Sequence, residues 1–278
     1  MVWDDDEVGE IEEKIEKKEE KTNWLEDYQE TILAYGLPKH GKTFAYCSII
    51  EYFLKKGGKA YIISTDSGFA RTAKTYFKEK IKDIYNRIDL EMVYDINSIL
   101  KYYNSIKNKL NKDDILIFDL VSDIWEWAQN AFVEELSHGD VQSFIARAMK
   151  DIKSFGTLDS NKWNYVKALH KFVEDIITRK PCNFVGVCTE KNTEVEVIKG
   201  KSSAKQQLSD LGFDDLTTRP GGHKLLPYKF ETIIRIGQKD GKYFMQVVGD
   251  RGYGMDLKNI YYGTNMYESL LEWRKKQK

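Results

Sequence analysis

No apolar run in the 278-residue chain approaches the length that crosses a bilayer, and the opening MVWDDDEVGE has neither the basic start nor the apolar stretch of a secretory leader. A soluble, cytoplasmic protein with no membrane partner is the expectation. Paired cysteines are missing too. Cys47, Cys182 and Cys188 lie singly in apolar segments without CxxC spacing, which argues against a disulfide framework or a cysteine zinc site and reads as buried thiols. The four histidines are scattered and give no metal-ligand spacing. Nor is there an excess of one charge: 43 Lys and Arg face 44 Asp and Glu, so any binding to nucleic acid would need a local patch. What is abundant is charge of both signs, 31% of residues with Lys and Glu leading, a composition that leans toward heat tolerance.

The length suits one large α/β domain with appendages. Residues 4–22 are almost entirely charged, so 1–23 reads as a charged, solvated N-terminal helix or tail, and packed-domain composition begins at residue 24. Strands are expected over 28–36, 59–65, near 88–94, over 114–120 and over 182–188, with helices over 44–58, 69–85 and 96–110. Continuously apolar strands alternating with helices describe an α/β fold, a mainly parallel sheet covered by helices on both faces. A helical insertion spans about 125–180, where Trp125, Trp127 and Trp163 at helical spacing read as core. Residues 189–224 read as a long mobile loop, and FETIIRIG with KYFMQVVG reads as an antiparallel hairpin at the sheet edge.

Between the first strand and first helix stands Gly36-Leu37-Pro38-Lys39-His40-Gly41-Lys42-Thr43, followed by Phe44. This matches G-x-x-x-x-G-K-[ST] without a mismatch, a pattern that average composition would place by accident in about one in a hundred chains of this length. Backbone N–H groups of such a loop cradle phosphates and the helix N-terminus adds partial positive charge; Lys42 would reach the β- and γ-phosphates of ATP and the Thr43 hydroxyl would ligate Mg²⁺. Asp119, ending the apolar ILIFD, suits the second magnesium anchor, the alternative being a helix N-cap. Asp66, at the end of the strand after the loop helix, could orient the attacking water or merely close an Asx turn. Glu190 is its rival, and Thr189 beside it could sense the γ-phosphate.

The order of these features resembles the RecA/RadA/KaiC group of P-loop ATPases over about residues 24–260, and TTRPGGHKLLPYKFETIIRI is similar to the stretch that holds the second DNA-binding loop of the recombinases. The resemblance implies a RecA-like core, Asp66 as catalytic carboxylate, and loop 189–222 facing single-stranded DNA in a homo-oligomeric ring or filament. It also implies a trans-acting arginine at Arg251 in VVGDRGYG, although Gly249 stands where the accompanying lysine is expected. With no helix-hairpin-helix domain recognisable, the chain is similar to small RecA-like annealing ATPases of phages and archaeal viruses. Loop residues Lys191, Lys199, Lys201, Lys205, Arg219 and Lys224 could neutralise phosphates and Phe213 could stack a base, but acidic residues interrupt the run. Two other readings stay open: a KaiC-like regulatory ring that binds protein, and a nucleotide-gated assembly module with little turnover.

Overall fold

The computed structural model describes residues 28–136, 160–179, 181–192, 218–223 and 225–277. The charged segment 1–23, the middle of the insertion, and Lys199, Lys201, Lys205, Phe213 and Lys224 of the expected loop lie outside the described residues.

The strands are β1 (Thr31–Gly36), β2 (Ala60–Ser64), β3 (Ile88–Met92), β4 (Ile115–Asp119), β5 (Asn183–Asn192), β6 (Thr218–Pro220), β7 (Thr232–Lys239), β8 (Lys242–Asp250) and β9 (Gly254–Tyr261). They form one mixed sheet in the order β3-β2-β4-β5-β1-β7-β8-β9, with β6 joined to β5 alone. From β3 to β7 every pairing is parallel, and β7-β8-β9 is antiparallel. All residues of β1, β2 and β4 are buried. Their continuous apolar character follows, because each face must meet a helix layer.

The helices are α1 (Lys42–Lys55), α2 (Gly68–Phe77), α3 (Ile96–Ile106), α4 (Asp123–Leu136), α5 (Ser160–Arg179) and α6 (Met266–Lys276). Strand period two sends Ile32 and Ala34, with Ile62, Ile117 and Val185, to the core under α1, α2 and α6. Leu33 and Tyr35, with Ile63, Phe118 and Phe184, go to the other core, under α3 and the end of α5. Each of the larger of these side chains contributes about 1.5–3 kcal/mol on leaving water. Cys47, Cys182 and Cys188 are free, buried thiols.

The structure differs from the sequence expectations in three places. The β7-β8 hairpin is not at the edge: β7 pairs with β1, and β9 forms the outer strand. The helix expected over 69–85 ends at Phe77, where Lys78 takes a positive φ of 50°, and short helical turns follow. The ends of the expected loop are paired strand, since β5 runs on to Asn192 and Glu190, Lys191 and Asn192 face Pro220, Arg219 and Thr218 of β6.

Buried Arg274 of α6 joins the antiparallel end to the parallel core. It pairs with Glu30, reaches Asp250 Oδ2 at 2.9 Å and donates to Thr232 Oγ1 at 2.8 Å, so its charge is compensated where it is desolvated.

Candidate nucleotide site

Register aligns the C-terminal ends of the central strands. Gly36 lies opposite Thr189, and Ser64 opposite Asp119, so the chain after β1, β2, β4 and the apolar part of β5 emerges along one edge. This is the edge where open α/β sheets gather ligands.

The loop after β1 turns through Lys39 at φ 64° and Gly41 at φ 89°. Gly41 is needed twice, since that φ disfavours any side chain and a Cβ would stand 2.6 Å from the Tyr243 ring. At Gly36 the reason is different: a Cβ would meet the Ile236 carbonyl oxygen at 2.2 Å, so glycine lets β1 and β7 approach. Gly41 caps α1 without a side-chain hydrogen bond, and the first turn holds no acidic residue, which leaves the helix N-terminal N–H groups for a ligand.

Lys42 Nζ donates to the Gly36 carbonyl at 2.8 Å and the Leu37 carbonyl at 2.9 Å, so the ammonium is folded back against its own loop. Burial lowers its pKa, opposed by the charges of Asp119 and Glu190. Pro38, Lys39, Thr43 and Phe44 line a cavity of about 450 Å³ beside it. The His40 N–H donates to the Leu37 carbonyl at 3.3 Å, and its side chain does not contribute to the cavity wall.

Asp119 and Asp66 reach the same cavity from β4 and from the end of β2. Asp119 is 5% exposed and its Oδ2 accepts from the Tyr46 hydroxyl at 2.9 Å. Burial pushes its carboxyl up to about 6, helped by the charge of Asp66 and opposed by Tyr46 and Lys42. Asp66 is exposed, and its Oδ1 accepts the Gly68 N–H at 2.7 Å, so the Asx turn and the cavity position coexist in one residue.

Glu190 is differently placed. Its side chain is 2% exposed, and Oε1 accepts from Arg235 Nη2 at 2.8 Å and Nε at 3.1 Å. The neighbouring Thr189 lines the cavity and Glu190 does not.

Sequence reasoning missed Arg71, Thr72, Thr75, Leu120 and Tyr243 in the cavity wall. The first three share one side of α2 directly after Asp66, a spacing that could have flagged them. Tyr243 comes from β8, packs its ring over Phe44 at 5.9 Å, and has no local signal.

Arg251 lies elsewhere. Its N–H donates to the Glu231 carbonyl at 3.0 Å, level with Thr31 at the start of β1, so about 17 Å of strand separates it from the loop of the same chain. Its Nη2 donates to the Tyr228 carbonyl at 3.2 Å. A larger concavity of about 670 Å³ opens there, but Glu30 and Asp250 in its wall are already engaged by Arg274.

No helix among the described residues is long and apolar enough to cross a membrane. No family model matches the chain, and no curated protein does. Among solved structures, the chain is similar to one described as an ATPase domain, at 10% identity and a TM-score of 0.44, over 92% of this chain and 93% of that one.

Proposed function

We propose that the protein is a RecA-like P-loop ATPase that binds ATP with Mg²⁺ at the β1–α1 loop and hydrolyses it. The observation that carries this reading is convergence: the uncapped start of α1, Lys42, Thr43, Asp119 and Asp66 come from three strand ends and meet at one cavity. The glycine cradle suits phosphate, and a hydroxyl with a carboxylate is the hard-oxygen donor set that Mg²⁺ prefers. Thr43 and Asp119 would hold the ion, which when bound neutralises phosphate charge. Lys42 exchanges two carbonyls for phosphate oxygens, the α1 N–H groups orient the chain of phosphates, and Asp66 holds the attacking water. Tyr243 and Phe44 offer an apolar ledge at the cavity mouth.

The same reading makes the protein a homo-oligomer that acts on single-stranded DNA. Arg251 is too far from its own loop to touch the phosphates there, so it serves a neighbouring copy. The segment 193–217 joins β5 to β6 next to Thr189 of the cavity wall; Lys191 and Arg219 flank it, and its Lys199, Lys201 and Lys205 are the positive side chains offered to DNA phosphates, set among Glu194, Glu196, Asp210, Asp214 and Asp215. The test measures ATP turnover against protein concentration, with and without single-stranded DNA, and in mixtures of Arg251→Ala with Lys42→Ala. Concentration-dependent turnover, stimulation by DNA, and activity restored on mixing two inactive variants are expected. DNA-indifferent turnover favours a regulatory ring, and co-assembled variants that stay inactive together overturn the trans role of Arg251.

A further inference from the structure

We propose that His170, Glu174 and His223 form a zinc site that staples α5 to the segment after β6. The proposal is independent of the nucleotide reading. His170 and Glu174 stand four residues apart on α5 and so share a face, while His223 follows Gly221 and Gly222. The spacing in sequence gives no hint of this group, because the third member arrives through the fold.

The three donor atoms lie within 4.8 Å of one another. His170 Nδ1 is 3.3 Å from Glu174 Oε1, and His223 Nδ1 is 3.4 Å from the same oxygen. Metal–ligand lengths of about 2.0–2.1 Å at the tetrahedral angle place ligand atoms roughly 3.3–3.4 Å apart, so two edges of the polyhedron already have the required length. Two imidazoles and a carboxylate suit Zn²⁺ and exclude Mg²⁺ and Ca²⁺ as preferred ions, and water completes the fourth position.

His170 is 2% exposed, and His223 Nδ1 is buried with only Glu174 Oε1, at 3.4 Å and outside good hydrogen-bond geometry, beside it among the described residues. A buried ring nitrogen in that state is costly unless something else takes its lone pair. Trp125 of α4 closes the apolar side, its ring 5.2 Å from His170 and 4.5 Å from His223. The competing arrangement is a metal-free ion cluster, since Lys229 Nζ lies 3.4 Å from Glu174 Oε2. Lys229 uses the oxygen turned away from the histidines and is one-third exposed, so it can stay or turn to water when the ion binds.

The staple would fix a strap that already touches the nucleotide cavity wall. The Gly221 N–H donates to the Thr189 carbonyl at 2.7 Å, and at Gly222, with φ 87°, a Cβ would crowd Ser122 Cα at 3.0 Å.

The test uses the full chain, freed of metal by a chelator and titrated with Co²⁺ in the absence of nucleotide. Expected are one equivalent bound with the visible bands of tetrahedral Co²⁺, displacement by Zn²⁺, and a zinc-induced rise in melting temperature. Loss of His223 in His223→Ala should weaken binding by at least the roughly 10–100-fold that losing a mere outer-shell partner costs. His223→Cys should restore a site and add a sulfur-to-cobalt charge-transfer band, and it decides alone where His223→Ala does not fold. A wild-type chain that binds no Co²⁺ or Zn²⁺, tetrahedral bands that persist in folded His223→Ala, or His223→Cys without the charge-transfer band would overturn the proposal.

Discussion

Asp66→Asn separates water orientation from nucleotide binding. Asparagine keeps an oxygen where Asp66 Oδ1 accepts the Gly68 N–H at 2.7 Å, so the turn survives and loses only the charge assistance, about 1 kcal/mol at most. The change also removes a negative charge that pushes the Asp119 carboxyl up toward 6. Asp119 then ionises at lower pH, and magnesium-linked affinity for ATP should hold or tighten. Turnover should fall by about 10²–10⁴, the usual scale of a positioned acid or base, which corresponds to roughly 3–5 kcal/mol on the barrier. The assay pairs phosphate release at saturating ATP with fluorescent-nucleotide affinity. Turnover within threefold of wild type, or affinity lost in step with turnover, would refute the assignment. Glu190→Gln is the informative contrast. It weakens the buried pair with Arg235 and should lower the melting temperature, a change Asp66→Asn should not share.

Gly41→Ala forces a side chain into φ 89° and against Tyr243, so nucleotide affinity should drop more than tenfold in calorimetry. Adding Tyr243→Ala relieves the ring contact but not the backbone, and the pair should remain weaker than wild type; a single variant that binds normally contradicts this geometry. Asp119 supplies a pH test. Its carboxyl is raised from an ordinary 3.8 to about 6, so between those values the folded chain holds a proton that the unfolded chain lacks, and stability falls as pH rises through that window. The full difference is roughly 3 kcal/mol. Asp119→Asn should flatten this slope in melts from pH 4 to 7, raise the midpoint at neutral pH and abolish magnesium-dependent ATP affinity; an unchanged slope would show that another group sets it.

The parallel half of the fold was legible because burial on both faces writes itself as unbroken apolar runs, as in ILIFD and AYIIS. The turn from Gly36 to Thr43 was legible for a similar reason, since the close approach at Gly36 and the positive φ at Gly41 dictate residue types locally. β9 was not. GMDLKNIY is half-exposed along its length and shows neither a continuous nor an alternating pattern. α6 escaped as well, because its anchors, Tyr267 on Ser48 and Arg274 on Glu30, are partners from the far end of the chain. β6, three residues long, owes its pairing to Glu190–Asn192 and not to any propensity of Thr-Arg-Pro. Tyr243 at the cavity and His223 beside His170 share that origin: each reaches its position through sheet order or a returning strap, which no local window contains.

The most direct test of the central claim is phosphate release by the purified full chain with ATP and Mg²⁺, compared with Lys42→Ala. Lys42 supplies the ammonium held at the loop, and loss of a charge-assisted contact of about 1.5–3 kcal/mol predicts at least a tenfold fall in affinity or turnover in a variant that melts like wild type. A wild-type chain that neither binds nor hydrolyses ATP, or a folded Lys42→Ala chain that turns it over at the wild-type rate, would contradict the account.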